Sequence, residues 1–173
     1  RELNKSGNLD SKGCEQCIYM ETHGSTSRRT GINEYYKNLE PSTSGPRGLE
    51  IKIDSTCNIA CVYCGPYNST QWRLENKTEK TTFPIRLSKP DILATLDSLD
   101  LTNLDNIHFY GGDPLVTNTH ETILNYIDKK VGLSNLYIWY NTNGTVRVSQ
   151  RVLDLWSRCR IVKIFFSIDD IGK

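Results

Sequence analysis

Three cysteines in the middle of the chain, Cys57, Cys61 and Cys64, follow the spacing C-x3-C-x2-C. Their thiolates are soft ligands, and such ligands suit iron–sulfur clusters or zinc. A structural zinc ion is normally closed by four protein ligands. A [4Fe–4S] cluster with three cysteine ligands instead leaves one iron open for a small molecule. Three thiols at this spacing therefore favour a cluster that also binds a ligand.

A second pair of cysteines, Cys14 and Cys17, has the spacing C-x2-C. An alternative interpretation is a non-catalytic zinc-binding module with one all-thiolate structural site. Its ligands would be Cys14, Cys17, Cys61 and Cys64. This alternative leaves Cys57 without a role. The separation of over 40 residues between the two pairs is also long for a zinc ribbon.

The bulk properties restrict the partners and the compartment of the protein. Its 173 residues carry 21 Lys and Arg against 20 Asp and Glu, a formal net charge of +1. This near balance predicts neither a nucleic-acid partner nor an anionic-membrane partner. No apolar run approaches the roughly 20 residues of a membrane span, and no signal-peptide core stands near the start. Clustered cysteines suit a metal site, so the predicted location is the reducing cytoplasm.

The chain after residue 48 alternates between predicted strands and helices. The strands are Leu49–Asp54, Asn106–Tyr110, Leu136–Tyr140 and Ile161–Ile168. The last of them is apolar enough for burial on both faces. This order predicts an α/β fold with a parallel sheet and right-handed crossovers.

Helical periodicity predicts the elements between these strands. A helix follows Ser88, whose side chain is a candidate N-cap with Asp91 three residues later. Further helices are predicted at His120–Val131 and Ser149–Arg158. The first 48 residues are mainly polar and predict an irregular, cysteine-bearing N-terminal segment with one helix, at Ile32–Leu39.

The unusual residues of the chain follow the predicted strands. They are Cys57–Cys64, Gly111–Pro114, Asn141–Gly144 and Ser167–Asp170. Ligands of parallel α/β sheets bind at the carboxyl ends of the strands. We therefore expect these four segments to meet in one site.

Together these segments resemble the radical S-adenosylmethionine (radical SAM) superfamily. The cysteine loop is similar to the family signature C-x3-C-x-aromatic-C, with Tyr63 at the aromatic position. Gly111–Pro114 resembles the family's G-G-E-P motif with Asp in place of Glu. Asn141–Gly144 resembles its T-N-G segment, and Ser167–Asp169 resembles its S-x-D motif.

The resemblance implies a partial (β/α) barrel of the radical SAM type, truncated in this chain to about four βα units. It also implies an enzyme. In this family one electron from the reduced [4Fe–4S] cluster cleaves S-adenosylmethionine and yields a 5′-deoxyadenosyl radical. That radical abstracts a hydrogen from the substrate. The cluster carries the hard chemistry, while the protein orients it and excludes water and oxygen.

The resemblance also implies roles for single residues. Cys57, Cys61 and Cys64 would bind three irons, and S-adenosylmethionine would chelate the fourth. The implied cofactor contacts are Tyr63, Gly111, Gly112, Asp113, Pro114, Asn143, Ser167 and Asp169. Asp is one methylene shorter than Glu, so backbone or water contacts would replace a direct contact of Asp113 with the methionine amino group. No catalytic residue beyond the cluster is assigned.

The segment around Cys14 and Cys17 resembles the tail of an auxiliary-cluster (SPASM or twitch) domain, which precedes the barrel in certain members. The residues that carry this resemblance are Gly13, Glu21, Gly24, Ser27 and Arg29. It implies a second [4Fe–4S] cluster at Cys14 and Cys17, with a zinc knuckle or a pair without metal as alternatives. The predicted organisation is an auxiliary-domain remnant at 1–40, a linker at 41–48 and the radical SAM core at 49–173.

The chain is predicted to be a piece of a longer protein, because it begins at Arg1 and ends at Lys173 just after an apolar run. The family's barrel has six strand–helix units, so an inactive fragment is a third hypothesis. Auxiliary clusters often accompany peptide or protein modification in this family, which implies a peptide substrate by analogy. The implied partner is a reductant such as flavodoxin or ferredoxin.

Packing is the favoured interpretation for several other residues. His108 alternates with apolar neighbours along a strand, so it is predicted to be packed or hydrogen-bonded and not catalytic. His120 is predicted at the surface, and Cys159 is predicted to be a buried, inert thiol.

Overall fold

The computed structural model describes residues 13–35, 37–38, 44–75 and 88–168. The chain divides into two units, Arg1–Pro41 and Ser42–Lys173. Residues 41–43 of the predicted linker lie outside the described residues. Within the described ranges, no helix combines the length and the apolar content needed to cross a membrane. The cytoplasmic location stays a prediction.

The first unit contains helices α1 (Glu15–Thr22) and α2 (Arg28–Tyr35). Sequence analysis missed α1 and treated this segment as irregular, because α1 buries none of its residues and has no apolar face to detect. The prediction of Ile32–Leu39 for α2 started too late, and Leu39 lies outside the described residues. The helix begins earlier because the Ser27 side chain accepts a hydrogen bond from the Thr30 amide and caps the first turn.

A cluster of polar side chains connects the end of α1 to the start of α2 through hydrogen bonds. The Glu21 carboxylate accepts hydrogen bonds from Ser27 Oγ and from the Arg29 guanidinium. These bonds, that from Ser27 first, hold the pKa of Glu21 below its usual value. Ser27 itself is buried. Three residues of the auxiliary-domain resemblance therefore have a packing role within the first unit.

The second unit is built on a four-stranded parallel sheet in the order β1-β2-β3-β4. The strands are β1 (Gly48–Lys52), β2 (Asn106–Tyr110), β3 (Tyr137–Thr142) and β4 (Ile161–Phe166). Each strand lies beside its successor in the chain and runs parallel to it, which is the arrangement of consecutive βαβ units. The predicted α/β fold is confirmed, and the sheet is an open one that is consistent with part of a barrel.

Helices follow the strands within the described ranges. They are α3 (Thr70–Glu75), α4 (Lys89–Asp97), α5 (Thr119–Val131) and α6 (Gln150–Ser157). Ser88 and Asp91 cap α4 reciprocally, as predicted. The Ser149 side chain caps α6 through the Val152 amide. Helix α3 was not predicted, because it is short and buries none of its residues.

The hydrophobic core lies between the sheet and helices α4, α5 and α6. Alternate residues of β2 and β3 contribute Ile107, Phe109, Ile138 and Tyr140. Helix α5 contributes Ile123, Leu124 and Ile127, which are fully buried. Successive side chains of a strand point to opposite faces, so the residues between these core positions lie on the other face of the sheet.

Strand β4 contradicts the prediction of burial on both faces. Its residues are exposed or half-buried and none is buried, and Phe165 and Phe166 are 50% and 58% exposed. Within the described residues β4 pairs with β3 alone, so it is an edge strand there. A continuous apolar run shows that both faces of a strand are suited to burial. It does not show whether other strands or helices lie against those faces.

A chain of hydrogen bonds crosses the core. Trp156 Nε1 donates to the Tyr140 hydroxyl at 3.2 Å, and that hydroxyl lies 3.1 Å from His120 Nδ1, within hydrogen-bonding distance. His120 is only 3% exposed, so the prediction of a surface histidine was wrong. Burial lowers the pKa of His120 from 6.5 to about 4, and the Asp113 carboxylate partly opposes this effect. The buried ring is therefore neutral near pH 7.

We expect acid to destabilise the fold through His120. The unfolded chain binds a proton at this residue near pH 6.5, whereas the folded chain binds it only near pH 4. Stabilisation that is present above pH 6.5 is therefore lost as the pH falls towards 4, by about 3 kcal/mol. Urea unfolding of wild type and His120→Asn across this window measures the loss, since Asn keeps an acceptor but does not titrate.

The wild type should lose about 3 kcal/mol more than His120→Asn over this pH window. The exposed residue His23 offers a matched control, and His23→Asn should behave like the wild type. Equal losses in the wild type and in His120→Asn would contradict the assignment of a buried neutral histidine.

Candidate cofactor-binding site

The loop that carries Cys57, Cys61 and Cys64 follows β1 and is held by α3 and the residue before it. Thr70 Oγ1 donates to the Cys57 carbonyl at 2.8 Å. Trp72 Nε1 donates to the Cys61 carbonyl, also at 2.8 Å. A buried serine, Ser69, donates to the Ile59 carbonyl at 2.8 Å. The unpredicted helix α3 is thus the element that fixes the backbone of the cysteine loop.

Two glycines at the end of β2 lie directly against the start of this loop. The Gly112 amide donates to the Asp54 carbonyl at 2.8 Å, and the next amide, of Asp113, donates to the Thr56 carbonyl at 2.8 Å. A Cβ on Gly111 would lie 2.4 Å from the Asp54 carbonyl oxygen, and one on Gly112 would lie 2.3 Å from that of Thr56. Gly111 also has φ of +139°, which favours glycine. The lack of a Cβ at these glycines therefore permits the close approach of the cysteine loop, in addition to that of any cofactor.

Asp113 faces the neighbouring strand end and not the cavity. It is 3% exposed, and its Oδ2 accepts hydrogen bonds from Thr142 Oγ1 at 2.8 Å and from the Asn143 amide at 2.7 Å. Its Oδ1 accepts from the Leu115 amide at 2.9 Å. Pro114 is also buried. Neither residue lines the cavity, and their predicted cofactor contacts stay predictions, with the geometry favouring an indirect role.

A cavity of about 530 Å³ lies at the carboxyl ends of the strands. The predicted site residues that line it are Cys57, Cys61, Tyr63, Cys64, Gly111, Gly112, Asn143 and Ser167. These residues come from the loops after β1, β2, β3 and β4, so the expectation that the four segments meet in one place holds for their described residues. Asp169 lies outside the described residues.

Sequence analysis missed part of the cavity wall, namely the side chains of the sheet face opposite the core. Lys52, His108, Tyr110 and Asn141 all line the cavity. His108 Nε2 donates to Asn141 Oδ1 at 2.6 Å, so His108 is hydrogen-bonded as predicted but also faces the site. The available signal was the strand alternation, which places every second residue of β1, β2 and β3 on this face.

The donor set fits the cluster that the sequence predicts. Three soft thiols line one cavity, and each ligand of a [4Fe–4S] cluster binds a different iron. Such thiols do not need to converge on a single point. Among the described residues, no group of three or more His, Cys, Asp or Glu side chains could hold one metal ion. The all-thiolate zinc site stays an untested alternative.

Cys14 and Cys17 belong to the first unit. Cys14 is the N-cap residue of α1 and Cys17 lies in its first turn, so the spacing of three places the two residues on neighbouring positions of one helix face. Both side chains are partly exposed. A second cluster at this pair stays a prediction.

We expect Gly112→Ala to lower the stability of the site, because the new Cβ would press on the Thr56 carbonyl. Overpacking of this kind costs about 1–3 kcal/mol. Gly65→Ala, in the same loop region, is the matched control because its Cβ would meet nothing within 4 Å. Urea unfolding and the iron bound after anaerobic reconstitution measure the effect. Equal stability and equal iron in the two variants would contradict this role of Gly112.

Comparison with known protein families gives one match that covers most of the chain. Residues 51–172 match the Radical SAM superfamily. This span contains the cysteine loop, the glycine pair and the ends of β3 and β4. The prediction of the family from the residue motifs is therefore confirmed, whereas the SPASM or twitch assignment is not.

Several curated proteins are similar to the same region. The chain is 28% identical over 131 residues to an uncharacterized protein of Methanocaldococcus jannaschii, covering 73% of this chain and 40% of that protein. It is 29% identical over 124 residues to molybdenum cofactor biosynthesis protein 1 of Dictyostelium discoideum, covering 72% and 18%. It is 27% identical over 143 residues to GTP 3′,8-cyclase 3 of Mycobacterium tuberculosis, covering 80% and 35%.

The chain thus spans from about a fifth to two fifths of the length of these relatives. The family match covers well over half of the chain itself. Three thiols, the glycine turn and the β4 end lie around one cavity within the matched span. On these grounds, the chain belongs to the radical SAM superfamily.

Proposed function

We propose that this chain is the cluster-binding part of an enzyme that cleaves S-adenosylmethionine reductively and abstracts hydrogen from a substrate. One observation carries the proposal: Cys57, Cys61 and Cys64 line the same cavity as Gly111 and Gly112. When bound, the cluster supplies the electron that starts this radical chemistry. Family membership supports the proposal. Since the chain spans only part of its relatives, the activity is proposed for the whole protein.

The chain's own residues would hold and orient the two cofactors. The three thiolates bind three irons and leave the fourth for the amino and carboxylate groups of S-adenosylmethionine. We assign the methionine end to the backbone at Gly111 and Gly112. The nucleoside end is assigned to Tyr63 and Ser167, which line the same cavity. Asp169 keeps its predicted role two residues beyond Ser167.

The test is anaerobic reconstitution of the full-length protein with iron and sulfide. We expect the wild type to bind about four irons at this site. Alanine at Cys57, Cys61 or Cys64 should remove nearly all of that iron and the charge-transfer absorbance of the cluster. After reduction and addition of S-adenosylmethionine, the wild type alone should release 5′-deoxyadenosine.

Cys159→Ala is the matched control for these variants. Cys159 is half-buried after α6, and burial raises the pKa of its thiol to about 11, as expected for an inert thiol. This variant should keep the full iron content. Stoichiometric zinc without iron in the wild type, or an iron content in Cys57→Ala equal to that of the wild type, would contradict the proposal, and the zinc result would favour the structural zinc module.

We further propose a second [4Fe–4S] cluster at Cys14 and Cys17 in the full-length protein. Four ligands are usual for such a cluster, so two must come from elsewhere in the protein. In the same reconstitution, a Cys14→Ala, Cys17→Ala double variant should lose about half of the total iron and keep the ability to cleave S-adenosylmethionine. An unchanged iron content in the double variant would contradict the second cluster and would leave the first unit with a packing role only.

We propose a small anionic molecule as the substrate, in place of the peptide favoured by sequence analysis. Lys52 lines the cavity, and its Nζ donates to Asn68 Oδ1 at 3.1 Å and lies 5.2 Å from the centre of the Tyr67 ring. His108 and Asn141 also line the cavity and add hydrogen-bonding groups. The named relatives include a GTP cyclase and none whose name indicates a peptide. A flavodoxin or ferredoxin is the proposed reductant.

GTP serves as the anionic probe for this substrate site. Loss of one charge-assisted contact in Lys52→Ala should weaken GTP binding about tenfold, which corresponds to 1.4 kcal/mol. Lys129→Ala, an exposed lysine in the last turn of α5, is the matched control and should bind like the wild type. Equilibrium binding under anaerobic conditions measures both. Equal binding by Lys52→Ala and wild type, or binding of peptides but not of GTP, would contradict the anionic substrate.

A further inference from the structure

The side-chain amide of Asn143 has a fixed orientation at the edge of the cavity. Its Nδ2 donates to Asn58 Oδ1 at 3.0 Å and lies 3.6 Å from Cys57 Sγ, a hydrogen-bonding distance for sulfur. Its Oδ1 accepts from the Thr145 amide at 2.9 Å and from Thr145 Oγ1 at 2.6 Å. Asn58 Nδ2 in turn donates to Thr145 Oγ1 at 2.8 Å. A flipped amide would set two oxygens against each other at Asn58, so the nitrogen faces the thiol.

The backbone of Asn143 is held as firmly as its side chain. The buried Asp113 carboxylate accepts from the Asn143 amide and from Thr142 Oγ1. Thr142 Oγ1 also accepts from the Gly144 amide at 3.2 Å. Gly144 has φ of +73°, and a Cβ there would lie 2.8 Å from the Phe166 ring. The turn after β3 therefore has little freedom to move the amide away from Cys57.

These contacts use the whole hydrogen-bonding capacity of the Asn143 amide. A primary amide has two donors and two acceptor lone pairs. The two donors go to Asn58 and Cys57, and the two acceptor positions go to Thr145. A direct bond from this side chain to S-adenosylmethionine would require one of these contacts to break. The geometry therefore points away from the cofactor contact that the sequence implied for Asn143.

We propose that Asn143 is a positioning residue that donates a hydrogen bond to the Cys57 thiolate and raises the reduction potential of the cluster. This inference rests on the proposed function, because it requires Cys57 to be a cluster ligand. Reduction adds a negative charge to the cluster, and an N–H dipole aimed at a ligand sulfur stabilises that charge. Hydrogen bonds to the sulfurs are among the factors that set these potentials. Asp113 has an indirect effect on the cluster in this proposal, because its carboxylate holds the backbone of Asn143 in place.

The test compares cluster midpoint potentials in the reconstituted full-length protein by anaerobic redox titration followed by electron paramagnetic resonance. We expect Asn143→Ala to shift the one-electron reduction equilibrium about tenfold towards the oxidised cluster, which is a fall of 59 mV. Asn143→Asp keeps the acceptors for Thr145 but places a carboxylate oxygen near Cys57, so its potential should fall further. Asn125→Ala is the matched control, because Asn125 is exposed on α5 and donates to the Glu121 carbonyl.

A fall in the order wild type, Asn143→Ala, Asn143→Asp would support the inference, since a purely structural role predicts no such order. Wild-type potentials in fully loaded variants would overturn it. If neither variant keeps its cluster, Thr145→Val is the deciding variant. It removes the two hydroxyl bonds of Thr145, to Asn143 Oδ1 and from Asn58 Nδ2, and leaves the Asn143 and Cys57 side chains in place. A lower potential in Thr145→Val supports the inference, and an unchanged one overturns it. Failure of the wild type to bind iron would instead overturn the proposed function.

Discussion

The site depends on one backbone contact, between the glycine turn that ends β2 and the loop that begins after β1. Two consecutive amides, of Gly112 and Asp113, donate to carbonyls of Asp54 and Thr56. This contact joins two segments that are more than 50 residues apart in the sequence. This contact is possible only because Gly111 and Gly112 have no Cβ. The carbonyl oxygens of Asp54 and Thr56 lie within 2.4 Å of the positions that these Cβ atoms would take.

The same turn carries Asp113, and this residue extends the contact to a third strand. Its buried carboxylate binds Thr142 and Asn143 at the end of β3. A charged group in the interior costs free energy unless it is hydrogen-bonded, and three donors satisfy it. Asp is shorter than the Glu found in the related motif, and its short side chain stays within the protein. The cysteine loop, the β2 turn and the β3 turn therefore form one connected frame around the cavity.

Helix α3 and the first unit contain elements that the pattern of apolar residues does not predict. Helices α1 and α3 bury none of their residues, so neither has an apolar periodicity to detect. Their role is polar: α3 binds the carbonyls of Cys57 and Cys61 through Thr70 and Trp72. Such contacts depend on side-chain positions that follow from folding and are not visible in the order of apolar residues.

His120 illustrates a different limit. It lies three and four residues before Ile123 and Leu124, on the core face of α5, so helical spacing alone favoured burial. The polar character of histidine argued for the surface. The hydrogen-bonding partner that offsets the cost of burial is the hydroxyl of Tyr140, which lies on strand β3. Burial of a polar ring is decided by whether such a partner exists.

The sequence by itself determined the family, the α/β order and the three thiols, because these are local features: a cysteine spacing, strand alternation and motifs at strand ends. The tertiary structure decided where each motif lies and which groups it contacts. It turned Asp113 away from the cavity, placed Lys52 and His108 on the cavity wall, left β4 as an edge strand in the described chain and aimed Asn143 at Cys57. These outcomes depend on which distant groups meet, and hydrogen bonds between strand ends are set by the sheet register and by loop packing, which no local pattern encodes.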